Sequence, residues 1–321
     1  MSALQVVGLS PALPRPLNRW KWFTEPVRAE RLAALRIGVA AVLLWDVLCT
    51  YLPQAGRFFG RDSLGSPEIF TAGHVWQRWS ILRGIADPSL LKLALVLWAI
   101  AAVLLLVGWL PKISAAFAWL MSISFIGINY YLHNSGDNVR TIALFYLMLS
   151  PCGAAWSLGR KHAENEDASA APVLVPPWAL RLLAIQLGIT YFFNGIYKLA
   201  GPDWREGNVL YSLLGNVAWT RISYDQLPLP FWVTQGMTWT VLVWELMFPL
   251  MMIMPWLRGP ALWMGVTFHV GTAAFLQLGP FPFYMLCLYL PFVPWEKWVD
   301  HGSHTMRETS TEYGVPSTDT R

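Results

Sequence analysis

Residues 191–207 read YFFNGIYKLAGPDWREG and end one of the most apolar stretches of the chain with a lysine, a Gly-Pro-Asp turn and a tryptophan. The apolar part reaches back to Trp178, which makes it long enough to cross a membrane, because a spanning helix needs about 20 mostly apolar residues. Lysine and tryptophan are typical of helix ends, where an apolar body lies in lipid and a polar tip reaches water. The stretch therefore predicts a membrane helix that ends near Lys198.

The composition of the whole chain agrees with this prediction. Of its 321 residues, 55% are hydrophobic and 13% are charged, whereas soluble domains carry roughly 25% charged residues. The mean hydropathy is +0.42, and 19 residues are tryptophan. These values predict a polytopic membrane protein.

Charge and cysteine content argue against several other classes. The net charge is +4, and no basic run is interleaved with aromatic residues, so we expect no nucleic-acid partner. Cys49, Cys152 and Cys287 lie far apart without metal-ligand spacing, so we interpret them as small hydrophobic residues and predict no metal. No apolar run precedes Leu32, so we expect no cleavable signal peptide.

Eight segments are long and apolar enough to be considered spans, some of them marginally. We expect an all-α, polytopic transmembrane bundle of about eight helices, with interfacial segments and no soluble domain. Gly and Pro residues over 255–260 and 279–280 are expected to separate the last three helices. The predicted spans are Leu32–Tyr51, Leu90–Leu110, Ile113–His133, Asn138–Trp156, Trp178–Leu199, Phe231–Met254, Ala261–Leu278 and Phe281–Trp298.

The remaining residues form tails and connections. We predict a cytoplasmic tail over residues 1–31, a transmembrane domain over 32–298 and a disordered tail over 299–321. Within the domain, 52–89 is expected to hold an interfacial helix, 157–177 a disordered linker, and 200–230 amphipathic pieces on the membrane surface. The distribution of Lys and Arg favours a multi-pass protein of the cell membrane with both termini in the cytoplasm, although four arginines in the first loop oppose this orientation.

Two ionisable residues lie in the middle of apolar segments. A charged residue near the bilayer centre costs at least about 2.5–3.5 kcal/mol. Counted from a break over 255–260, Glu245 lies ten residues before it and His269 nine residues after it. Both would lie about 14–15 Å in, which makes a Glu245–His269 contact geometrically easy. This contact either ties the two helices together or lets the carboxylate orient an imidazole that handles protons.

Lys198 has two interpretations. As an anchor, it would extend its ammonium to the lipid headgroups, together with Trp204. Alternatively, it points into the bundle, where loss of hydration makes an amine available as a base. The residues alone favour the anchor.

Polar residues also gather between the predicted third and fourth helices, in NYYLHNSGDNVR (129–140). Asn134 and Asp137 are expected to cap the fourth helix. Together with Asn138 and Arg140, they would alternatively form the mouth of a pocket on the same membrane side as Lys198.

Three stretches of the chain resemble the HTTM (horizontally transferred transmembrane) domain family, which includes the vitamin K-dependent gamma-carboxylases. They are NSGDNVRTIALFYLMLSP (134–151), IQLGITYFFNGIYKLAGPDWREG (185–207), and ELMFPLMM (245–252) with FHVGTAAFLQLGPFPFYMLCLYLPF (268–292). The resemblance covers roughly residues 32–298, and the second stretch is its most specific part.

The resemblance implies an enzyme that uses a reduced quinone of the vitamin K or menaquinol type, with O2 and CO2. In the carboxylases the lysine of the second stretch is regarded as the base that deprotonates the quinol, and it matches Lys198. His269 and Glu245 match a histidine and a helix acid of the family. Tyr191, Asn194 and Trp204 of the same motif are expected to line the substrate pocket.

The chain also departs from the carboxylases. Gly136-Asp137 stands where they carry Asn-His, and the chain ends about 23 residues after the last predicted helix instead of continuing into a large lumenal domain. A peptide or protein substrate would then be recognised by the membrane domain, the first loop or a separate protein. Two further functions therefore stay open: a non-catalytic accessory or immunity protein of the same fold, and a transporter, against which the lack of internal repeats argues. Membrane lipids are the expected surroundings, and the sequence does not predict an oligomeric state.

Overall fold

The computed structural model describes residues 24–60, 63, 79–129, 132–158, 172–222, 225–295 and 297. The predicted cytoplasmic tail (1–31) lies largely, and the predicted disordered tail (299–321) entirely, outside the described residues. The same holds for most of the predicted disordered linker over 157–177, and for residues 61–62 and 64–78 of the loop expected to hold an interfacial helix.

The described residues form eleven α-helices and one short two-stranded sheet. In this sheet β1 (Val27–Arg28) pairs antiparallel with β2 (Leu174–Val175) and fastens the start of the first helix to the segment before the sixth. The helices are α1 (Ala29–Asp46), which continues as a π-helix over Val47–Tyr51, α2 (Ala55–Phe58), α3 (Pro88–Val107), α4 (Pro111–Ile128), α5 (Ser135–Leu149), α6 (Trp178–Ala200), α7 (Pro202–Glu206), α8 (Val209–Leu214), α9 (Phe231–Ile253), α10 (Pro255–Phe275) and α11 (Phe281–Cys287), followed by a 3-10 helix over Leu290–Phe292.

Five of these helices are long and apolar enough to cross a membrane: α1 with its π-helical end, α3, α4, α6 and α9. The expected all-α polytopic bundle is therefore confirmed. The bounds of α6 and α9 agree with the predicted fifth and sixth spans to within one residue.

Three predicted spans reach too far, and prolines explain two of them. The fourth span was expected to reach Trp156, but α5 ends at Leu149, because the residue before Pro151 is forced out of the helical conformation. The eighth was expected to reach Trp298, but α11 ends at Cys287 and only a 3-10 turn follows around Pro291. The third was expected to reach His133, whereas α4 ends at Ile128.

The expected break over 255–260 is also wrong. Met254 alone separates α9 from α10, which begins at Pro255 and keeps Pro260 inside its second turn. A proline suits the first position of a helix, since its fixed φ is helical and its missing N–H would have had no partner there. Membrane helices also tolerate an internal proline, because neighbouring groups satisfy the freed carbonyl.

The long helices pack into two groups. The first contains α1, α3, α4 and α5, and its core includes the fully buried Trp98. The second contains α6, α9 and α10, and α11 contacts α1, α5 and α10. In the second group α6 and α9 approach closely at Gly195, where an added side-chain carbon would lie 2.9 Å from Leu246. Small residues permit such close approach between membrane helices.

Candidate functional site

A cavity of about 1460 Å³ lies between the two helix groups. Its walls come from α4, α5, α6, α9 and α10, and most of its lining residues are apolar. The side chains with polar atoms that line it are Trp79, His133, Ser135, Asn138, Thr141, Gln186, Thr190, Tyr191, Asn194, Lys198, Trp204, Trp219, Thr238, Thr240, Glu245, Thr267, His269 and Thr272. Three of the predicted site residues with catalytic roles and four of those with pocket roles are among them.

The segment between α6 and α9 forms one end of this cavity. The short helices α7 and α8 lie in it, and α8 contributes Leu210 and Leu213 to the lining. Side chains of α9 hold the segment in place: Trp239 Nε1 donates to Arg205 O (3.0 Å) and Gln235 Nε2 to Glu206 O (2.8 Å). The expected surface pieces over 200–230 are thus short helices fastened over the site.

Lys198 and Glu245 form a hydrogen-bonded ion pair at the cavity wall. Lys198 Nζ lies 2.5 Å from Glu245 Oε1, with side chains 20% and 3% exposed. The ammonium also lies 4.5 Å from the ring centroid of Trp204 and 5.7 Å from that of Phe268. Lys198 therefore points into the bundle and does not extend to the surface as an anchor would.

The location of Gly195 one turn before Lys198 explains how this pair forms. Lacking a side chain, Gly195 lets α6 contact the backbone of α9 at Leu246, the residue that follows Glu245. At this separation a lysine and a glutamate on facing helices reach each other directly. Because two charges in an apolar interior lose much of their hydration, their attraction offsets that cost only with good geometry.

His269 does not bond to Glu245, contrary to the contact that the sequence had made plausible. Because α10 begins at Pro255, His269 lies fifteen residues after Met254 and Glu245 nine before it. The two side chains therefore differ by about 9 Å in depth along their helices. His269 Nε2 instead lies 2.7 Å from Tyr191 Oη, which in turn lies 2.5 Å from Tyr289 Oη.

Two buried polar atoms at this site have no partner among the described residues. They are Glu245 Oε2 and His269 Nδ1. Buried polar atoms in native proteins are nearly always paired, so each exception needs a reason. Both belong to residues that line the cavity, and a bound ligand is one such reason.

The hairpin before α5 has a structural role and contributes one of its predicted pocket residues. Asn134 Oδ1 accepts from Gly136 N (2.7 Å) and Asp137 Oδ2 accepts from Asn134 N (2.8 Å), which forms the expected cap of the helix. Asn138 lines the cavity, where its Oδ1 lies 2.9 Å from His133 Nε2. Asn134 and Asp137 do not line it.

Arg140 belongs to a separate buried cluster. Its Nη1 lies 3.0 Å from Asp46 Oδ2, its Nη2 lies 2.7 Å from Asp137 Oδ1, and its Nε donates to Ser122 Oγ (2.7 Å). The guanidinium lies 5.0 Å from the ring centroid of Trp98. Arg140, Asp46 and Asp137 are at most 1% exposed. The expectation that Arg140 and Asp137 would form the mouth of the pocket is therefore wrong.

The sequence reasoning missed several members of both clusters. Asp46 is a charged residue inside the first apolar segment, so the same cost of burial that singled out Glu245 could have found it. Tyr51 and Tyr284 donate to Asp137 Oδ1 (3.1 Å) and Asp46 Oδ2 (3.2 Å). These tyrosines, like Tyr289, carry no signal that distinguishes them from other aromatic core residues.

Among the described residues, no group of three or more His, Cys, Asp or Glu side chains could hold a metal ion. The site consists of one ion pair, a histidine hydrogen-bonded to Tyr191, which bonds in turn to Tyr289, and a large cavity with mostly apolar walls.

The helix bundle and this site define a multi-pass membrane protein with a buried cation–carboxylate pair beside a large cavity. The sequence profile of the HTTM domain matches residues 25–298. The chain therefore belongs to the HTTM domain family, as its three motif stretches had indicated. No curated protein and no solved structure matches the chain significantly.

Proposed function

We propose that the protein is a quinol-dependent membrane enzyme of the carboxylase or epoxidase type, in which Lys198 and Glu245 together act as the base. The observation that carries this proposal is their hydrogen bond at the wall of the large cavity, with Glu245 Oε2 unpartnered beside it. His269, on the same cavity, supports the negative charge that deprotonation creates.

The ion pair can take up one proton from a ligand and acts as a unit in doing so. One proton shared between the amine and the carboxylate leaves the pair neutral, so it can accept a second proton. Acceptance of a proton from a hydroxyl leaves a protonated Glu245, an ammonium at Lys198 and an oxyanion on the ligand. The ammonium then faces the new anion in a medium of low dielectric, where opposite charges attract strongly.

The volume and lining of the cavity support a reduced quinone as the ligand. Ordinary small-molecule pockets measure about 300–1,000 Å³, so a cavity of about 1460 Å³ has room for a ring and a hydrocarbon tail. Lys198, Glu245 and His269 would hold the ring hydroxyls, and the apolar walls would hold the tail. When bound, the quinol supplies the reducing equivalents that let O2 be converted to quinone epoxide and water.

The remaining parts of the proposal concern surroundings and partners. We infer a location in the cell membrane with both termini in the cytoplasm, from the distribution of basic residues. Lys198 then lies toward the outer face, beneath α7 and α8. A peptide or protein that takes up CO2 would be the second substrate.

The test is an assay of the purified protein with reduced menaquinone or vitamin K and O2, with quinone epoxide measured by mass spectrometry. We expect epoxide with the wild type and a loss of about 10²–10⁴-fold in Lys198→Ala, the range for removal of an acid–base group. Lys92→Ala, at an exposed lysine of α3, is the matched control and should turn over normally.

Two results would contradict the proposal. Absence of epoxide from several quinols would favour the non-catalytic accessory function. Full activity of Lys198→Ala would show that the pair is not the base, whatever the reaction.

A further inference from the structure

The hydrogen-bond chain of Tyr289, Tyr191 and His269 carries an inference that does not depend on the reaction. Tyr191 Oη lies between Tyr289 Oη (2.5 Å) and His269 Nε2 (2.7 Å). All three residues are buried: Tyr289 is 5% exposed, Tyr191 2% and His269 1%. Tyr191 and His269 line the cavity, whereas Tyr289 lies behind them.

The hydroxyl of Tyr289 is enclosed on its far side. A side-chain carbon added at Gly265 would overlap with it, so the hydroxyl packs directly against the backbone of α10 one turn before His269. Among the described residues its hydrogen-bond partner is Tyr191. The hydroxyl of Tyr289 therefore has one acceptor among the described residues, the oxygen of Tyr191.

The direction of this first bond decides the next one. Tyr191 has one proton, and if its oxygen accepts from Tyr289 it is free to donate to His269 Nε2. Only Nδ1–H then remains without a partner, in a residue at the cavity wall. In the reverse direction, Nε2–H donates to Tyr191 and Tyr191 to Tyr289. The hydroxyl proton of Tyr289 and the lone pair of Nδ1 are then both unpaired.

We propose that Tyr191, supported by Tyr289, fixes His269 in the neutral tautomer that carries its proton on Nδ1. Leaving a buried donor or acceptor unpaired is unfavourable, and the chosen direction leaves one such group instead of two. Tyr191 and Tyr289 are thus positioning residues. They make His269 a donor toward the cavity, ready to bond to an oxyanion or carbonyl oxygen, and they prevent Nε2 from acting as a base.

Where it concerns ligand binding, this assignment rests on the proposed function, but the tautomer itself does not. Nitrogen NMR of protein labelled with ¹⁵N in the histidine rings distinguishes a protonated from an unprotonated ring nitrogen. The sequence contains six histidines, and His269→Gln identifies the signals of interest by removing them.

We expect the wild type near neutral pH to show protonated Nδ1 and unprotonated Nε2, with this tautomer in excess by on the order of tenfold or more. Tyr191→Phe removes the partner of Nε2 and should bring the two tautomers to comparable amounts. Tyr289→Phe should cause a smaller change. Tyr197→Phe, at an exposed tyrosine of the same helix, is the control and should change nothing.

Protonated Nε2 in the wild type, an even mixture of tautomers, or an imidazolium would overturn the proposal, whether or not the variants fold. The two proposals fail separately. The expected tautomer without epoxide formation would refute the enzyme alone, and epoxide formation with the opposite tautomer would refute the assignment of His269 alone.

Discussion

Among the described residues, two buried clusters of charged side chains use the same chemistry, a cation paired with carboxylate, in different places. In one, Arg140 lies between Asp46 and Asp137, and side chains from α1, α3, α4, α5 and α11 surround it. In the other, Lys198 is paired with Glu245, its one hydrogen-bond partner among the described residues. Each leaves one carboxylate oxygen without a hydrogen-bond partner among the described side chains, Asp46 Oδ1 and Glu245 Oε2.

What separates the clusters is their position relative to the cavity. Arg140, Asp46 and Asp137 do not line it, and aromatic rings enclose them. Lys198 and Glu245 line it, and Lys198 keeps a fifth of its side chain exposed. A charge enclosed by helices has no ligand within reach, whereas a charge at a cavity wall can bind a ligand or exchange a proton. We therefore interpret the first cluster as structural and propose the second as the site.

The largest expected effect is on stability, at the enclosed cluster. Arg140→Met leaves Asp46 and Asp137 buried without their cation and should reduce the free energy of unfolding by about 3–5 kcal/mol. Denaturation of the purified protein in mixed micelles, followed by tryptophan fluorescence, measures this loss. Arg205→Met, at an exposed arginine of α7, is the control. A variant as stable as the wild type would show that the Arg140 cluster does not hold the helices together.

A change at the cavity should affect activity more than stability. Glu245→Gln keeps the size of the side chain and can still accept a hydrogen bond from Lys198, but it cannot take up a proton. We expect epoxide formation to fall about 10²-fold or more. The loss of stability should be smaller than for Arg140→Met, since Lys198 is partly exposed to the cavity. Loss of folding in Glu245→Gln with the activity per folded molecule intact would remove the distinction between the two clusters.

The smallest effect concerns the hairpin before α5, which is followed by Asp137 of the Arg140 cluster and by Asn138 at the cavity wall. Asn134→Ala removes the cap of α5 and should lower the free energy of unfolding by about 1 kcal/mol, with little effect on activity, because Asn134 does not line the cavity. Asn138→Ala is its counterpart four residues later, at the cavity wall. We expect it to change the KM for the quinol more than it changes stability. If Asn134→Ala changed the KM more than Asn138→Ala did, the hairpin would contribute to the pocket through the cap of α5.

The sequence predicted the fold better than the site. The apolar lengths of α6 and α9 identified both helices almost to the residue, because the thickness of the bilayer sets the length of a span. Predicted ends failed at α5, α10 and α11, where a proline either ended a helix or began one. Whether a given proline ends or begins a helix depends on which neighbouring groups satisfy the backbone carbonyl that loses its N–H partner.

For the site, the sequence identified Glu245 and His269 as residues of the interior, but it paired them with each other, whereas Glu245 bonds to Lys198 and His269 to Tyr191. A shift of six residues in the start of α10 moved His269 away from Glu245 and next to Tyr191. Lys198 had a weaker signal, since a lysine at the end of an apolar helix can equally turn to the surface. The direction of the Lys198 side chain depends on Gly195, because this glycine lets α9 pack closely against α6 and brings Glu245 within reach.

The sequence by itself therefore determined that this chain is a membrane-embedded helical bundle of the HTTM domain family, and which few ionisable residues its apolar segments carry. Composition and segment length suffice for this, because lipid accepts only long apolar helices with little charge. Only the tertiary structure decided which of these residues contact each other, which are buried in the core and which face the cavity. Those outcomes depend on helix register and on where two helices approach closely. A shift of about one turn changes which side chains meet, and the hydrophobic pattern of the sequence does not record such a shift.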